Sequence, residues 1–486
     1  MKMKKLSGLA VMVLVFILNV SGQNRVSLFA LKETASAKAD KTSVASVRES
    51  EIGINRQNFT ETAALSLFLF DGKVYEAKRT STEIRTPDDY TWRGKIVQGK
   101  FEGDVILTFR QGFVAGLIYS PEAVYEIVPR GNKHILVELN QELFPECGGE
   151  IKGDESFKNQ SNGLSTVDSG DRIDVLVVYT TATKNFLGGD AQAQTFSQQA
   201  IDATNTAYLN SKIRQRVRMV HAQEYLYTET SSASTDLSNL RNNPEIQALR
   251  NTHNADLVAM IGELQGVCGI GYLMGSNQQS GSPANGYSAT ARNCAVGNLS
   301  FAHELGHNMG SQHNPENGSG ATYPFGYGHY VNGVFRTVMS YSDPCPNGCT
   351  RRPYFSNPEI FLSGFPTGID NARDNARLIN LTADVIANYR YSGRSITMNN
   401  FNGGEMIIRG IRRTLNWSTN NLTGNVRIEI SRDESTNWET LIANTPNDGV
   451  ENITIWGSAT RRARLRIVSI DSPFISDSSV SNIALR

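Results

Sequence analysis

The sequence predicts a central α/β (α+β) domain with a β-rich segment on either side. Three observations carry this. Before residue 150, short apolar runs alternate with polar positions around turn dipeptides, the period of half-buried strands. From Ile173, strand runs interleave with helical stretches. After Arg394 the period of two returns. A chain of 486 residues has room for about three domains at ~150 residues each. Lys and Arg total 47 and Asp and Glu 47, so no bulk charge draws the chain to nucleic acid or anionic lipid. Hydrophobic residues, at 39%, suffice for packed cores and exclude wholesale disorder. Five cysteines are too few for a disulfide-dense miniature scaffold, and their odd number leaves one thiol to account for.

Residues 1–22 set Lys2, Lys4 and Lys5 before an apolar run, Leu6–Val20, that ends in Ser21 and Gly22. That is the order of a cleaved secretory signal peptide. The uninterrupted core Val11–Leu18 falls short of the ~20 residues a spanning helix needs. We expect a secreted, extracellular chain with no membrane span in its mature form. Residues 23–172 form the first β-rich segment, with hairpins at Asp71-Gly72 and Gln111-Gly112 and a polar, aperiodic linker over 153–172. The α/β domain covers 173–392. Its strands are read at Ile173–Thr180, in RVRMVHAQEY (Arg216–Tyr225) and in Asp256–Gly262; its helices are read at about Ala191–Ser211 and Asn371–Tyr389. Residues 393–486 alternate Val426, Ile428, Ile430 and Ala463, Leu465, Ile467 with polar neighbours, as in a small antiparallel sandwich.

Residues 303–313 read H-E-L-G-H-N-M-G-S-Q-H. Four residues apart on a helix, His303 and His307 share one face and can hold one zinc ion. Gly310 is suited to the left-handed turn that ends such a helix and delivers His313 as a third nitrogen ligand. Three neutral imidazoles leave the fourth position open to water, as in a catalytic zinc site. Glu304 is placed to take a proton from that water, whose pKa the metal lowers. The alternative, a helix with incidental surface histidines, does not explain two spacings and a turn residue occurring together.

The pattern H-E-x-x-H-x-x-G-x-x-H resembles the metzincin zinc endopeptidases. The wording FAHELGHNMG is similar to their reprolysin or adamalysin branch, including its bacterial secreted members. The resemblance is tight over residues 299–342 and looser over 173–389. It implies a twisted mixed sheet with a long zinc-binding helix, one catalytic Zn2+, and protein or peptide substrates cut in a groove along an edge strand. By the same resemblance His303, His307 and His313 are ligands, Glu304 is the general base, and Met339 in RTVMSY forms a Met-turn. Two positions depart from the branch. Asn314 stands where it has Asp directly after the third His. Tyr341 is similar to a Tyr that in astacins and serralysins binds zinc or an oxyanion; its other reading is a packed Tyr with a bonded hydroxyl. His253 and His329 have no ligand spacing and read as ordinary histidines.

A β-rich segment ahead of such a domain is expected to be a propeptide, the other reading being an accessory β domain. Cys147 lies in it, in FPECGGE, and a thiolate is an excellent fourth zinc ligand. This resembles the cysteine-switch segments of matrix metalloproteinases and adamalysin-type zymogens, although the flanking residues match neither fully. Cys147 is thus expected to be the zymogen switch. The other four cysteines allow three pairings. Nearness in sequence favours Cys268–Cys294 and Cys345–Cys349, the latter across the turn Pro346-Asn347-Gly348. Arg351 and Arg352 would suit an acidic substrate side chain, but two adjacent arginines are more often simply solvated. The carboxy-terminal segment resembles the immunoglobulin-like or fibronectin-like modules of secreted bacterial enzymes. The Asn-x-Ser/Thr sites at Asn58, Asn298 and Asn452 need a eukaryotic secretory pathway and are discounted. No motif indicates a structural calcium or a nucleic-acid partner. The leading expectation is a secreted zinc endopeptidase made as a zymogen. The alternative is a cell-surface binding or adhesion protein with a degenerate protease domain, against which the intact Glu304 stands. A zinc-dependent hydrolase of other substrates is disfavoured by the third His and Met339.

Overall fold

The computed structural model describes residues 26–31, 41–152, 172–274, 282–318, 320–390, 395–435, 437–470 and 475–486. The expected signal peptide and nearly all of the expected linker lie outside them. Arg172 already opens a strand, one residue before the expected boundary.

The first β-rich segment is a ten-stranded sheet. Its strand partners are antiparallel except at Val26–Ser27, which pairs parallel with Ala64–Phe68. Phe29–Leu31, two residues further on, pairs with Ser46–Ile54 at the opposite edge, so one short segment closes the sheet on itself. Leu65, Leu67, Trp92, Val105, Leu107 and Ile127 fill the enclosed core. At the turn between Phe101–Arg110 and Phe113–Tyr119, Gln111 and Gly112 have φ of 50° and 79°, the two-residue hairpin turn that matches strand twist.

The second unit holds a six-stranded mixed sheet in the order Glu150–Lys152, Gly269–Leu273, Tyr287–Ala291, Leu257–Gly262, Arg172–Thr180, Arg216–Tyr225. The last four are mutually parallel, and Gly269–Leu273 runs antiparallel to its neighbour Tyr287–Ala291. Fully buried parallel strands explain the unbroken apolar run from Val175 to Val178. The long helix Asp190–Asn210 is covered on both sides, by its own sheet and by the first β unit. Its second side is polar. Asp202 accepts hydrogen bonds from Thr91 and Thr108, both at 2.5 Å, and pairs with Arg85 at 3.3 Å; Gln199 accepts from Thr108 at 2.6 Å. Apolar contact continues across the same boundary through Ile106, Leu117 and Tyr119. Two helices not read from the sequence, Ala233–Asn242 and Pro244–Thr252, follow, capped by Ser232 and Asn243. The last helix runs Asn375–Ile386, four residues shorter at its start than expected, because Asp374 caps Arg377 N–H.

Residues 395–486 form two further sheets, one of three strands and one of six, around a shared core that includes Ile396, Leu415, Trp417, Ile428, Ile430, Leu465 and Ile467. Among the described residues no helix is long and apolar enough to cross a membrane.

Candidate metal centre

The motif occupies the helix Ser300–Asn308 and the turn after it. Gly310 takes φ 94°, so the chain reverses where the sequence places a glycine. The reversal returns His313 to the helix face that carries His303 and His307. His307 Nε2 lies 3.2 Å from His303 Nε2 and 3.0 Å from His313 Nε2. Each ring's other nitrogen faces a backbone carbonyl: His303 Nδ1 to Val338 O and His307 Nδ1 to Ser311 O, both 2.9 Å, and His313 Nδ1 to Asn317 O, 3.4 Å. A carbonyl only accepts, so the ring protons belong on Nδ1, and three bare Nε2 lone pairs converge. Three acceptors at these distances make no hydrogen bonds with one another. They fit a cation, since zinc–nitrogen bonds of ~2.0–2.1 Å put tetrahedral ligands ~3.3 Å apart. Burial holds the imidazoles neutral, pushing the pKa of His307 down to about 3 and of His313 to about 4.

Glu304 lies one residue from His303, fully buried, with neither carboxyl oxygen hydrogen-bonded. Burial raises its pKa to about 8. Room for it comes from glycines in the neighbouring strand: a Cβ at Gly269 would sit 2.4 Å from Glu304 Oε1, and one at Gly271 3.3 Å from Oε2. Met339 is buried beneath the helix, its sulfur 2.5 Å from where a Cβ at Gly306 would be. Asn314 ties the third histidine's loop to this turn. Its Oδ1 accepts from Tyr341 N at 3.0 Å and Ser340 Oγ at 3.3 Å, while Nδ2 donates to Glu316 and Asn317. An amide offers both functions, which a carboxylate cannot.

Cys147 joins the three histidines in a cluster whose candidate ligand atoms all lie within 4.8 Å of one another. Its Sγ is 4.0 Å from His307 Nε2. Burial and the Glu304 charge push the thiol pKa well up in the metal-free group. Tyr341 lies tilted against His313 with ring centroids 4.1 Å apart, and its hydroxyl donates to Cys147 O at 3.1 Å. The segment around Cys147 is held along the strand by Cys268 N to Glu146 O, 3.1 Å, and Gly148 N to Gly269 O, 2.8 Å. It then pairs parallel with that strand through Glu150–Lys152. The cysteines pair as Cys268–Cys294 and Cys345–Cys349, and Cys147 is free. Arg351 and Arg352 are buried at 2% and 5% exposure, so the solvated reading fails. Sequence reading missed the space-making pair Gly269 and Gly271 and the contacts of Glu146. The alternation Gly269-Ile270-Gly271 on a strand was the one available signal.

Two helix-borne imidazoles, a third delivered by the following turn and an adjacent buried carboxyl fit the class of metal-dependent hydrolases. The model of metallo-peptidase family M12 matches residues 169–356. A peptidyl-Asp metalloendopeptidase of Stenotrophomonas maltophilia (strain R551-3) is 30% identical over 326 residues, covering 63% of this chain and 76% of the relative. One of Xanthomonas campestris pv. campestris is 29% identical over 344 residues, covering 65% and 80%. One of Pseudomonas aeruginosa is 32% identical over 262 residues, covering 48% and 43%. The chain belongs to the M12 metallopeptidases and is a metalloendopeptidase.

Proposed function

We propose that the chain is a secreted zinc endopeptidase made as a zymogen, with His303, His307 and His313 as metal ligands and Glu304 as general base. The observation that carries this is the convergence of three unprotonated Nε2 atoms beside a buried, unpaired carboxyl. Zinc, when bound there, polarises the scissile carbonyl and acidifies the attacking water. Glu304 takes that water's proton on a carboxylate oxygen and passes it to the leaving amine nitrogen. The Nδ1–carbonyl bonds keep each ring turned toward the site, and Met339 with Asn314 supports it from below. By likeness to the relatives, the bonds cut are those beside Asp.

In this reading residues 23–172 are the propeptide. Cys147 Sγ stands where the attacking water is needed, and Glu150–Lys152 takes the strand edge that an extended substrate would use. The polar side of the helix Asp190–Asn210, built on Gln199 and Asp202, suits a partner that departs, because water can solvate it afterwards. Release frees the Tyr341 hydroxyl from Cys147 O for the reacting oxyanion. Two disulfides agree with an extracellular setting, and residues 393–486 are read as an appended immunoglobulin-like or fibronectin-like module. The test is Cys147→Ser in the full-length chain. Peptide hydrolysis before any cut in 153–172 is expected; a mutant precursor as inactive as the unsubstituted one, with its propeptide intact, removes the switch.

A further inference from the structure

Glu146, the residue before Cys147, is partly buried and turns its side chain onto the loop after Met339. Its Oε1 accepts the Ser342 N–H at 2.9 Å and also the Ser342 hydroxyl. Two guanidiniums lie behind this point, buried at 1% exposure for Arg336 and 2% for Arg351. Arg336 Nη1 donates to Ser340 O at 2.9 Å and Arg351 Nη2 to the same oxygen at 3.0 Å. Each keeps a buried Nε with no hydrogen-bond partner. Burial pushes the pKa of both down, to about 9 for Arg336, and Glu146 is the first acid opposing it in each case.

Buried cations without a bonded carboxylate are costly, even with Asn298 accepting from both, and an anion received nearby offsets that cost. The anion now in place comes from the segment expected to leave. Its neighbour's Sγ is at the histidines, so the Glu146 side chain sits one residue from the reacting position. A substrate whose scissile carbonyl occupies that position brings the side chain flanking the scissile bond to the same place. We infer that Ser342, backed by Arg336 and Arg351, is the receptor for an acidic substrate side chain flanking the scissile bond, and that Glu146 occupies it in the precursor as an internal substitute. This rests on the endopeptidase reading of the same site. It makes Ser342 a specificity-determining residue, with its N–H and Oγ as donors to the incoming carboxylate. It also makes the inhibitory segment two-pronged: thiol at the metal, carboxylate in the side pocket.

The activated enzyme is tested on peptide pairs that differ only by Asp against Asn, or Glu against Gln, beside the cleaved bond. A kcat/KM ratio of at least about tenfold in favour of the acid is expected, the worth of a charge-assisted hydrogen bond. Ser342→Ala should lower that ratio severalfold, and Ser342→Asp should abolish or invert it. A ratio near one without substitution, or a ratio that neither variant moves, overturns the inference. Glu146→Gln in the full-length precursor supplies a readout that does not need activity. The Cys147 thiol should then react with an alkylating reagent about tenfold faster, because the segment has lost its second anchor; an unchanged rate overturns the substitute role. Absence of hydrolysis of any peptide by the activated enzyme would count against the endopeptidase reading, while the alkylation rate still decides for or against Glu146.

Discussion

Glu304 is a buried carboxyl with no hydrogen-bond partner, a group that costs the fold stability and is found where chemistry is done. Two glycines across from it, Gly269 and Gly271, leave the space it occupies. Because it is adjacent to His303 and not at ligand spacing, it can be removed without dismantling the imidazole set. Glu304→Ala is expected to lower peptidase turnover by ~10²-fold or more while zinc content stays near that of the unsubstituted chain. Metal stoichiometry measured with peptide hydrolysis on the same sample checks this; near-normal turnover would exclude Glu304 as the base. Asn314 makes a related point. Where the resembling branch has a carboxylate, its amide bonds the Met339 turn with one atom and the following loop with the other. Support is retained with different chemistry.

At the level of elements, the helix Ser300–Asn308 and the turn at Met339 approach so closely that residue 306 has no room for a side chain. In an exposed helix, Gly→Ala gains about 1 kcal/mol. Here the added Cβ would meet Met339 Sδ at 2.5 Å, with Met339 Cε and Phe355 Cε1 at 3.3 Å. Gly306→Ala is therefore expected to destabilise the unit by about 1–3 kcal/mol, the range for overpacking. Thermal unfolding of Gly306→Ala alone and with Met339→Ala checks it: the double variant should regain part of the loss, and a stabilised single variant would contradict the packing. The motif residues were legible in the sequence because helix periodicity and one glycine place them. The glycine pair in strand Gly269–Leu273 was not legible as site architecture, because pairing with Tyr287–Ala291 and with Glu150–Lys152 joins segments far apart in the chain. The helices Ala233–Asn242 and Pro244–Thr252 escaped for another reason: short and polar, they have few buried residues to set a period.

On the scale of the molecule, the boundary between the first β unit and the second buries a titratable group. Glu126, 4% exposed, lies against the backbone of Gly297, and burial raises its pKa to about 8. Arg292 opposes that rise and Glu49 adds to it. For a carboxyl so raised, both states are protonated below the ordinary value of 4.5 and nothing is lost. Between 4.5 and about 8 the unfolded chain ionises and the folded one does not, so stability falls as pH rises and levels off above. Unfolding of the full-length chain followed from pH 5 to 8 should show this slope. Glu126→Gln should flatten it and raise the unfolding temperature at pH 8 more than at pH 5. An unaltered slope would assign the pH dependence to other groups.

Read from the sequence alone, the three clustered histidines, the Glu304 carboxyl beside them, the place of Met339, the odd cysteine and both disulfide pairs were accessible. The histidines and Glu304 follow from spacing within a few turns of chain, the odd cysteine from counting thiols and the disulfide pairs from nearness in sequence, whereas Met339 followed from the family resemblance. Only the tertiary structure decided that Asn314 braces the Met339 turn, that Gly269 and Gly271 make space for Glu304, and that Arg351 is buried with Glu146 bonded to Ser342 nearby. These contacts join segments up to 196 residues apart. Their partners are selected by sheet pairing and core packing, which no short stretch of chain specifies.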